Sequence, residues 1–284
     1  MRIARLLAPF GLAVLLAGCL QSATVINVKP DGSGTIEETL TMNAQAAAQL
    51  QEMLAGFGQM AGEKGDAKRA GKKPGIFSEE DMRSAAAKMG EGVTFVSSQP
   101  VKTADTEGVR ALYAFTDVTK VRIDQKPATP GGADKLGGAP GGSAPEMIAF
   151  RFARTPAGSS QVTVVFPDAK LEPGQKPTAP AAGAKSNDPA QAAALAMAKQ
   201  MFAGMKISIV LQPVGRLIRT NSAFVEGQRV TLLELDLGQL MADEALLTKL
   251  QGLGSIEQAK AALKGVKGVK VNLDKEVVVE FAGR

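Results

Sequence analysis

Pairs of short β-rich runs, separated by turn-forming residues, constrain the fold of this chain more than any other feature. The first pair comprises Ala23–Val28 and Thr35–Met42, and Pro30-Asp31-Gly32-Ser33-Gly34 between them is typical of a turn. In the second run one face is apolar except for Glu38, which predicts a buried face and a solvent-facing one. Similar pairs occur at 147–154 with 161–166, 216–225 with 228–236, and 269–273 with 277–281. These pairs predict antiparallel hairpins, and further strands are predicted at 93–97, 109–116 and 207–212.

Segments with helical periodicity alternate with these hairpins. Asn43 is a candidate cap for a helix whose apolar residues recur every three to four positions, at Ala46, Leu50, Met53, Phe57 and Met60. Ser78 opens a capping box that predicts a helix ending at Gly90, and Asp117 and Asp236 are candidate caps after strands. Further helices are predicted at 189–202, 237–250 and 255–264. The expected fold is therefore α+β, a mainly antiparallel sheet of hairpins with amphipathic helices packed on one side.

Three stretches are predicted to be flexible insertions within this fold. Residues 62–75 are rich in glycine and lysine, whereas 123–145 and 169–188 are rich in glycine, proline and alanine. Such compositions bury too little apolar surface to offset the entropy lost on ordering. We expect one α+β domain that spans residues 19–284 and carries these insertions as loops. The basic 62–75 loop is interpreted as a solvated charge run, with contact to anionic lipid headgroups as the alternative.

The N-terminus has the order of parts found in an export signal. Arg2 and Arg5 precede an apolar core from Leu6 to Leu16, small residues follow, and Cys19 is the single cysteine of the chain. Residues 1–18 are therefore predicted to be a signal peptide. A transmembrane helix would need about 20 apolar residues, and this apolar run ends at Leu20. With one cysteine, no disulfide can form within the chain.

The end of this signal, Leu16-Ala17-Gly18-Cys19, resembles the lipobox of bacterial lipoproteins. The resemblance implies that the Cys19 thiol receives a diacylglyceryl group, that the chain is cut before Cys19, and that the new amine is acylated with palmitate or a similar chain. In Gram-negative lipoproteins an aspartate after the cysteine favours retention in the inner membrane. Because Leu20 stands there instead, the resemblance implies an outer-membrane lipoprotein that faces the periplasm.

The amino-acid composition argues against most kinds of catalytic and metal-binding site. The chain has no histidine, which is the commonest general base and metal ligand, and Cys19 would be a thioether. Glu37 and Glu38 point to opposite faces of a strand, and residues 79–81 occupy a first helical turn, so both acidic groups are interpreted as structural. A net charge of +5 is too small and too dispersed for a nucleic-acid surface. No cofactor, metal ion or enzymatic activity is expected.

Two stretches of the mature chain resemble LppM-type bacterial envelope lipoproteins. One is Val28–Thr35, and the other begins at Ile207 and includes Gly215-Arg216, Thr220-Asn221, residues 225–227 and residues 230–232. The resemblance implies a β-rich α+β envelope domain with a possible groove for lipophilic molecules. The resemblance does not identify any functional residue in this chain.

These observations predict a lipid-anchored protein of the cell envelope that acts by binding or scaffolding. Its expected partners are the membrane, through the anchor, and envelope proteins, with no nucleic acid. The alternative is a carrier of a lipid or another apolar ligand held between sheet and helices. The methionines of the predicted helices, such as Met53 and Met197, would suit an adaptable apolar site, although packing in the core is their more usual role.

Overall fold

The computed structural model describes residues 20–48, 51–52, 78–125, 147–167, 204–243, 245–246, 249, 258, 262–272 and 274–283. Of these residues, 54% lie in strands and 19% in helices, so the described part of the chain is mainly β. The strands in chain order are β1 (Gln21–Val28), β2 (Gly34–Asn43), β3 (Thr94–Lys102), β4 (Thr106–Phe115), β5 (Arg122–Asp124), β6 (Met147–Arg154), β7 (Ser160–Val165), β8 (Lys206–Pro213), β9 (Arg216–Thr220), β10 (Val225–Glu226), β11 (Arg229–Asp236), β12 (Val269–Val271) and β13 (Glu276–Ala282).

The first predicted hairpin is confirmed. β1 and β2 pair antiparallel from Gln21 opposite Thr41 to Val28 opposite Gly34. In the turn the Asp31 carboxylate accepts hydrogen bonds from the amide and the hydroxyl of Ser33, at 2.9 and 2.7 Å. Gly32 adopts a φ of +87°, a left-handed conformation that glycine tolerates without steric cost. Local turn chemistry therefore fixes this hairpin.

The strands form two sheets. The large sheet has the order β10-β11-β8-β1-β2-β4-β3, and β12 pairs with β11 beside this path. The small sheet has the order β5-β6-β7-β13-β9. All pairs are antiparallel except β1 with β8, which run parallel from Gln21 opposite Lys206 to Val28 opposite Pro213. β1 thus lies at the centre of the large sheet, between partners distant in sequence.

The two sheets share one aliphatic core. Fully buried side chains of the large sheet, including Ile26, Ile36 and Tyr113, belong to the same cluster as Val279 and Phe281 of the small sheet. The β1–β2 turn also reaches the small sheet, because the Ser160 hydroxyl donates to the carbonyl of Pro30 at 2.7 Å. The architecture is therefore two packed layers of sheet around a single core.

The helices of the described residues are short. α1 (Glu79–Lys88) begins at the predicted cap, where the Ser78 hydroxyl accepts from the Asp81 amide at 3.1 Å. α1 buries Met82 and Ala86 against the core beside β3. A 3-10 helix (Val118–Lys120) and α2 (Leu237–Ala242) are capped by Asp117 and Asp236, as the sequence predicts. Residues 44–48 are also helical, after Asn43.

The predicted fold class is wrong. We expected one antiparallel sheet with several amphipathic helices packed on one side, and the structure has two sheets in which strand residues greatly outnumber helical ones. The small sheet buries apolar residues such as Phe150 and Val164 against the large sheet. A second sheet thus covers apolar surface that the prediction assigned to helices. Hydrophobic alternation gives each strand a buried face but leaves open which element covers that face.

One predicted hairpin is wrong, and another forms only next to its turn. Residues 269–273 and 277–281 do not pair with each other, because β12 joins the large sheet at β11 and β13 joins the small sheet at β7 and β9. In the hairpin predicted from 216–225 and 228–236, β10 pairs with β11 across the turn, whereas β9 pairs with β13 in the small sheet. The chain passes from the large sheet to the small sheet at Gly215, returns between β9 and β10, and passes to the small sheet again after Asn272.

Several predictions fall partly or wholly outside the described residues. The insertion at 123–145 begins with residues of β5, where Ile123 is buried, and its remainder from residue 126 lies outside. The insertions at 62–75 and 169–188 and the predicted helix at 189–202 lie outside as well. Parts of the helices predicted at 237–250 and 255–264 are described, among them α2.

Candidate functional site

The predicted lipidation site, Leu16 to Cys19, lies outside the described residues, which begin at Leu20. Leu20 packs against Met42 and Ala47, and its carbonyl accepts a hydrogen bond from the Lys206 amide at 3.0 Å. The residue directly after Cys19 is therefore already held in the large sheet. At this end of the strands β1 and β8 begin and β2 and β11 end, and we call it the Leu20 end of the large sheet.

A capped carboxylate stabilises the Leu20 end. The Asp236 side chain accepts from the amide and side chain of Gln239, at 2.9 and 3.0 Å, and lies 3.1 Å from the Lys206 ammonium group. Burial opposes ionisation of Asp236, but the hydrogen bonds from Gln239 and the charge of Lys206 outweigh it and lower its pKa. Asp236 thus joins β11, α2 and the start of β8.

Polar side chains interrupt the buried face of the large sheet. Ser22 and Thr24 are buried on β1, and Glu38 lies opposite Thr24 on β2. The Tyr113 hydroxyl donates to the Glu38 carboxylate at 3.4 Å, and the Tyr113 ring meets Phe95 edge-on at 6.0 Å. Burial raises the pKa of Glu38, and the hydrogen bond from Tyr113 opposes this only in part. Burial, and after it the charge and hydrogen bond of Glu38, raises the pKa of Tyr113.

We expect Glu38→Gln to stabilise the protein at neutral pH. Because its pKa is raised on folding, Glu38 binds more protons in the folded state, so the free energy of unfolding falls as pH rises above the ordinary value of 4.5. Glutamine does not ionise, so the variant avoids this fall in the free energy of unfolding. The expected gain in that free energy at pH 7 is on the order of 1 kcal/mol. Urea unfolding at pH 4 and pH 7 measures it.

The matched control for this prediction is Glu37→Gln on the same strand. Glu37 faces the opposite side, is partly exposed, and its carboxylate lies 3.5 Å from the Arg110 guanidinium group. Removing one partner of such a surface pair changes stability by about 1 kcal/mol or less. If Glu38→Gln kept the same pH dependence as the unmodified protein, Glu38 would not be the titrating group.

A second carboxylate is buried on the outer side of the small sheet. Glu280 accepts from the Ser159 hydroxyl at 2.5 Å and from Arg219 Nε at 2.5 Å, and Ser159 also contacts the Thr155 hydroxyl at 2.6 Å. The hydrogen bond from Ser159, followed by that from Arg219, lowers the pKa of Glu280. This cluster joins β13 to β9 and to the turn before β7.

We expect Glu280→Gln to make the protein less stable at neutral pH and to flatten the acid side of its stability profile. Because folding lowers the pKa of Glu280, its contribution is present above the ordinary value of 4.5 and is lost as pH falls through the folded value. Thermal midpoints between pH 3 and pH 7 measure the effect. The two curves should converge towards pH 3, and a constant offset between them would contradict this role.

Acidic groups of α1 have structural partners. Glu79 pairs with Arg83 along α1 at 2.5 Å, and the Ser78 hydroxyl donates to Asp81 at 2.6 Å. Within the described ranges, no three His, Cys, Asp or Glu side chains lie close enough together to hold a metal ion. The carboxylates with partners named above therefore serve as caps, ion pairs and hydrogen-bond acceptors.

No helix in the described part of the chain has both the length and the apolar character needed to cross a membrane.

The sequence indicated the unusual position of Glu38 and missed that of Glu280. Glu38 stands out as the one charged residue on an apolar strand face, which is a readable signal. Glu280 sits in a β-rich run on the face opposite Val279 and Phe281, where a glutamate is ordinary. Its partners Ser159 and Arg219 belong to other strands and turns, so no local pattern could identify the cluster.

No protein-family model and no curated protein matches the chain. Among solved structures, the chain is similar to the folded domain of LppM from Mycobacterium tuberculosis, at 10% sequence identity and a TM-score of 0.28. The match covers 78% of this chain and 85% of that domain. The resemblance to LppM-type lipoproteins is thus found again, at a level of similarity too low to carry an inference about fold, site or function.

Proposed function

We propose that this chain is a lipid-anchored protein of the cell envelope, attached through Cys19 and acting by binding or scaffolding rather than by catalysis. The observation that carries the proposal is the run Leu16-Ala17-Gly18-Cys19 behind a basic and apolar N-terminus. Acylation of this kind gives firm membrane attachment because each buried methylene contributes about 0.8 kcal/mol and several chains act together. Leu20 after the cysteine favours the outer membrane, with the domain in the periplasm.

The polar clusters of the two sheets support a non-catalytic role. Glu38 accepts from Tyr113, and Glu280 accepts from Ser159 and Arg219. Each cluster has a single carboxylate, whereas the two-carboxylate mechanisms of glycosidases and aspartic proteases need two that converge on one cleft. Their bonds connect neighbouring strands, which is a structural task.

We expect Cys19→Ala to abolish lipid attachment completely. The mature wild-type protein should begin at residue 19 and carry the added mass of a diacylglyceryl group and an acyl chain, whereas the variant should carry neither and keep residues 1–18. The thiol is required because the linkage is a thioether, which alanine cannot form. Mass spectrometry of the N-terminal peptide from membrane fractions measures this.

Cys19→Ala could stay in the membrane through its uncut signal peptide. A second version, residues 20–284 exported behind a signal peptide that is removed without adding lipid, has neither the lipid nor an uncut signal. This protein should be released with the soluble periplasmic fraction. Persistent membrane attachment, or an unmodified Cys19 in the wild-type protein, would contradict the proposal. Native mass spectrometry of the same soluble protein tests the carrier alternative, because a reproducible mass excess equal to one lipid would replace scaffolding with lipid transport.

A further inference from the structure

The first described residue after Cys19 is already fixed by the fold. Leu20 bonds to the Lys206 amide and packs against Met42 and Ala47, and β1 begins at the next residue, Gln21. Consecutive Cα atoms are about 3.8 Å apart, so a lipidated Cys19 would leave no spacer between the anchor and the large sheet. A domain attached without a spacer cannot turn freely above the membrane.

The strand register identifies what else lies at the Leu20 end. Lys206 is opposite Gln21, and Asp236 is opposite Lys206 on the next strand. On the other side, Thr106 is opposite Asn43, and the amide of residue 44 donates to the carbonyl of Asp105 in the β3–β4 turn at 2.9 Å. The β3–β4 turn and the start of α2 therefore lie at the same end as the anchor.

Exposed cations also lie at this end. Lys102 closes β3, opposite Glu107, and Lys267 directly precedes Gly268, whose carbonyl accepts from the Asp236 amide at 2.8 Å. Both lysines are exposed. A lysine close to an anionic membrane surface contributes about 1 kcal/mol of attraction. Because Glu107 stands opposite Lys102 and Asp105 lies in the same turn, the charge at this end is mixed, and the short tether is the main restraint on orientation.

We propose that the Leu20 end of the large sheet lies against the phospholipid headgroups and that the missing spacer fixes this orientation. The inference rests on the proposed lipidation of Cys19. The opposite end, with the turn at residues 29–33 and the β10–β11 turn at Gly227 and Gln228, then points away from the membrane. Because a strand rises about 3.3 Å per residue, the eight residues of β8 separate the two ends by roughly 23 Å. Partners in the periplasm would meet the far end.

Single engineered cysteines test this orientation in the full lipidated protein. Cys19 is the one native cysteine and its sulfur would be acylated, so a new cysteine supplies the one free thiol. Asp105→Cys marks the Leu20 end and Gln228→Cys marks the far end, and both positions are exposed turn residues. Each variant is labelled with a fluorophore and bound to vesicles of phosphatidylethanolamine and phosphatidylglycerol that contain a nitroxide on the lipid headgroup.

We expect loss of fluorescence at position 105 and none at position 228. Equal quenching at both positions, or stronger quenching at 228, would overturn the proposed orientation. Vesicle flotation is measured on the same samples, because protein that fails to float would contradict lipid anchoring itself rather than the orientation. The two failures are therefore distinguishable.

A variant with an added linker tests whether the short tether, rather than another contact, sets the orientation. Inserting about twelve Gly and Ser residues after Leu20 gives a flexible spacer of roughly 20 Å. This variant should still float, while quenching at position 105 should fall towards the level at 228. Unchanged quenching at 105 would overturn the conclusion that the missing spacer sets the orientation.

Discussion

Gly215→Ala is expected to destabilise the protein by about 3 kcal/mol or more, a large share of the stability of an ordinary domain. Gly215 carries the chain from β8 in the large sheet to β9 in the small sheet. Its φ of +151° is strained for any residue with a side chain, and an added Cβ would stand 2.1 Å from the Ala282 carbonyl oxygen. Because that atom belongs to the backbone of β13, one of the two strands must move. Urea unfolding of the purified protein measures the loss.

Gly158→Ala is the matched control for this prediction. Gly158 also has a left-handed φ, +82°, but an added Cβ would meet no atom within 4 Å. This variant should therefore show only the backbone strain, about 1–2 kcal/mol. Similar losses for both variants would mean that the close approach of β9 and β13 at Gly215 does not limit stability.

Phe281→Ala is expected to cost about 3–5 kcal/mol, the usual range for removing a large buried aromatic side chain. Phe281 lies on β13, paired with both β7 and β9, and has no solvent exposure. It belongs to the cluster that the small sheet shares with Ile26 and Ile36 of the large sheet. Truncation would leave a cavity in the core common to both layers, so both should unfold together in one weakened transition.

Val278→Ala provides the comparison on the same strand. Val278 points to the opposite face and keeps partial exposure, and its backbone amide, which the substitution leaves in place, donates to the side-chain oxygen of Asn221. The expected loss is about 1 kcal/mol or less. If Phe281→Ala unfolded the small sheet alone and left the large sheet intact, the two sheets would not form one cooperative core.

Local features of the sequence predicted the parts of the fold that depend on few neighbouring residues. The β1–β2 hairpin follows from alternation on both sides of a turn in which Asp31 and Gly32 supply the required bonds and conformation. The start of α1 follows from the Ser78 cap, and Asp117 and Asp236 cap as predicted. In each case the deciding contacts lie within about four residues of one another.

The pairing of distant strands could not be predicted in this way. The parallel pair of β1 and β8 joins Gln21 to Lys206, and no local signal links two runs so far apart in the chain. The separation of β12 from β13 had no signal either, because Asp274-Lys275 between them is typical of a hairpin turn. A half-buried strand shows the same alternation of apolar and polar residues whichever sheet it joins.

The same division applies to the candidate site. The sequence identified the Cys19 motif and the unusual position of Glu38, since both are patterns within a short segment. The tertiary structure decided that Tyr113 accompanies Glu38, that Ser159 and Arg219 donate to Glu280, and that Leu20 is held by Lys206 directly before the central strand. The proposed membrane orientation rests on the last of these.

For this protein, the sequence by itself predicted the export signal and determined the aliphatic alternation of the strands, the first hairpin and the helix caps. Backbone preferences and side-chain periodicity are properties of adjacent residues, and they act before distant parts of the chain meet. Only the tertiary structure decided that the strands divide between two sheets and that β1 lies between β2 and β8. Those choices depend on burying the apolar faces of both sheets together, which is a property of the whole chain.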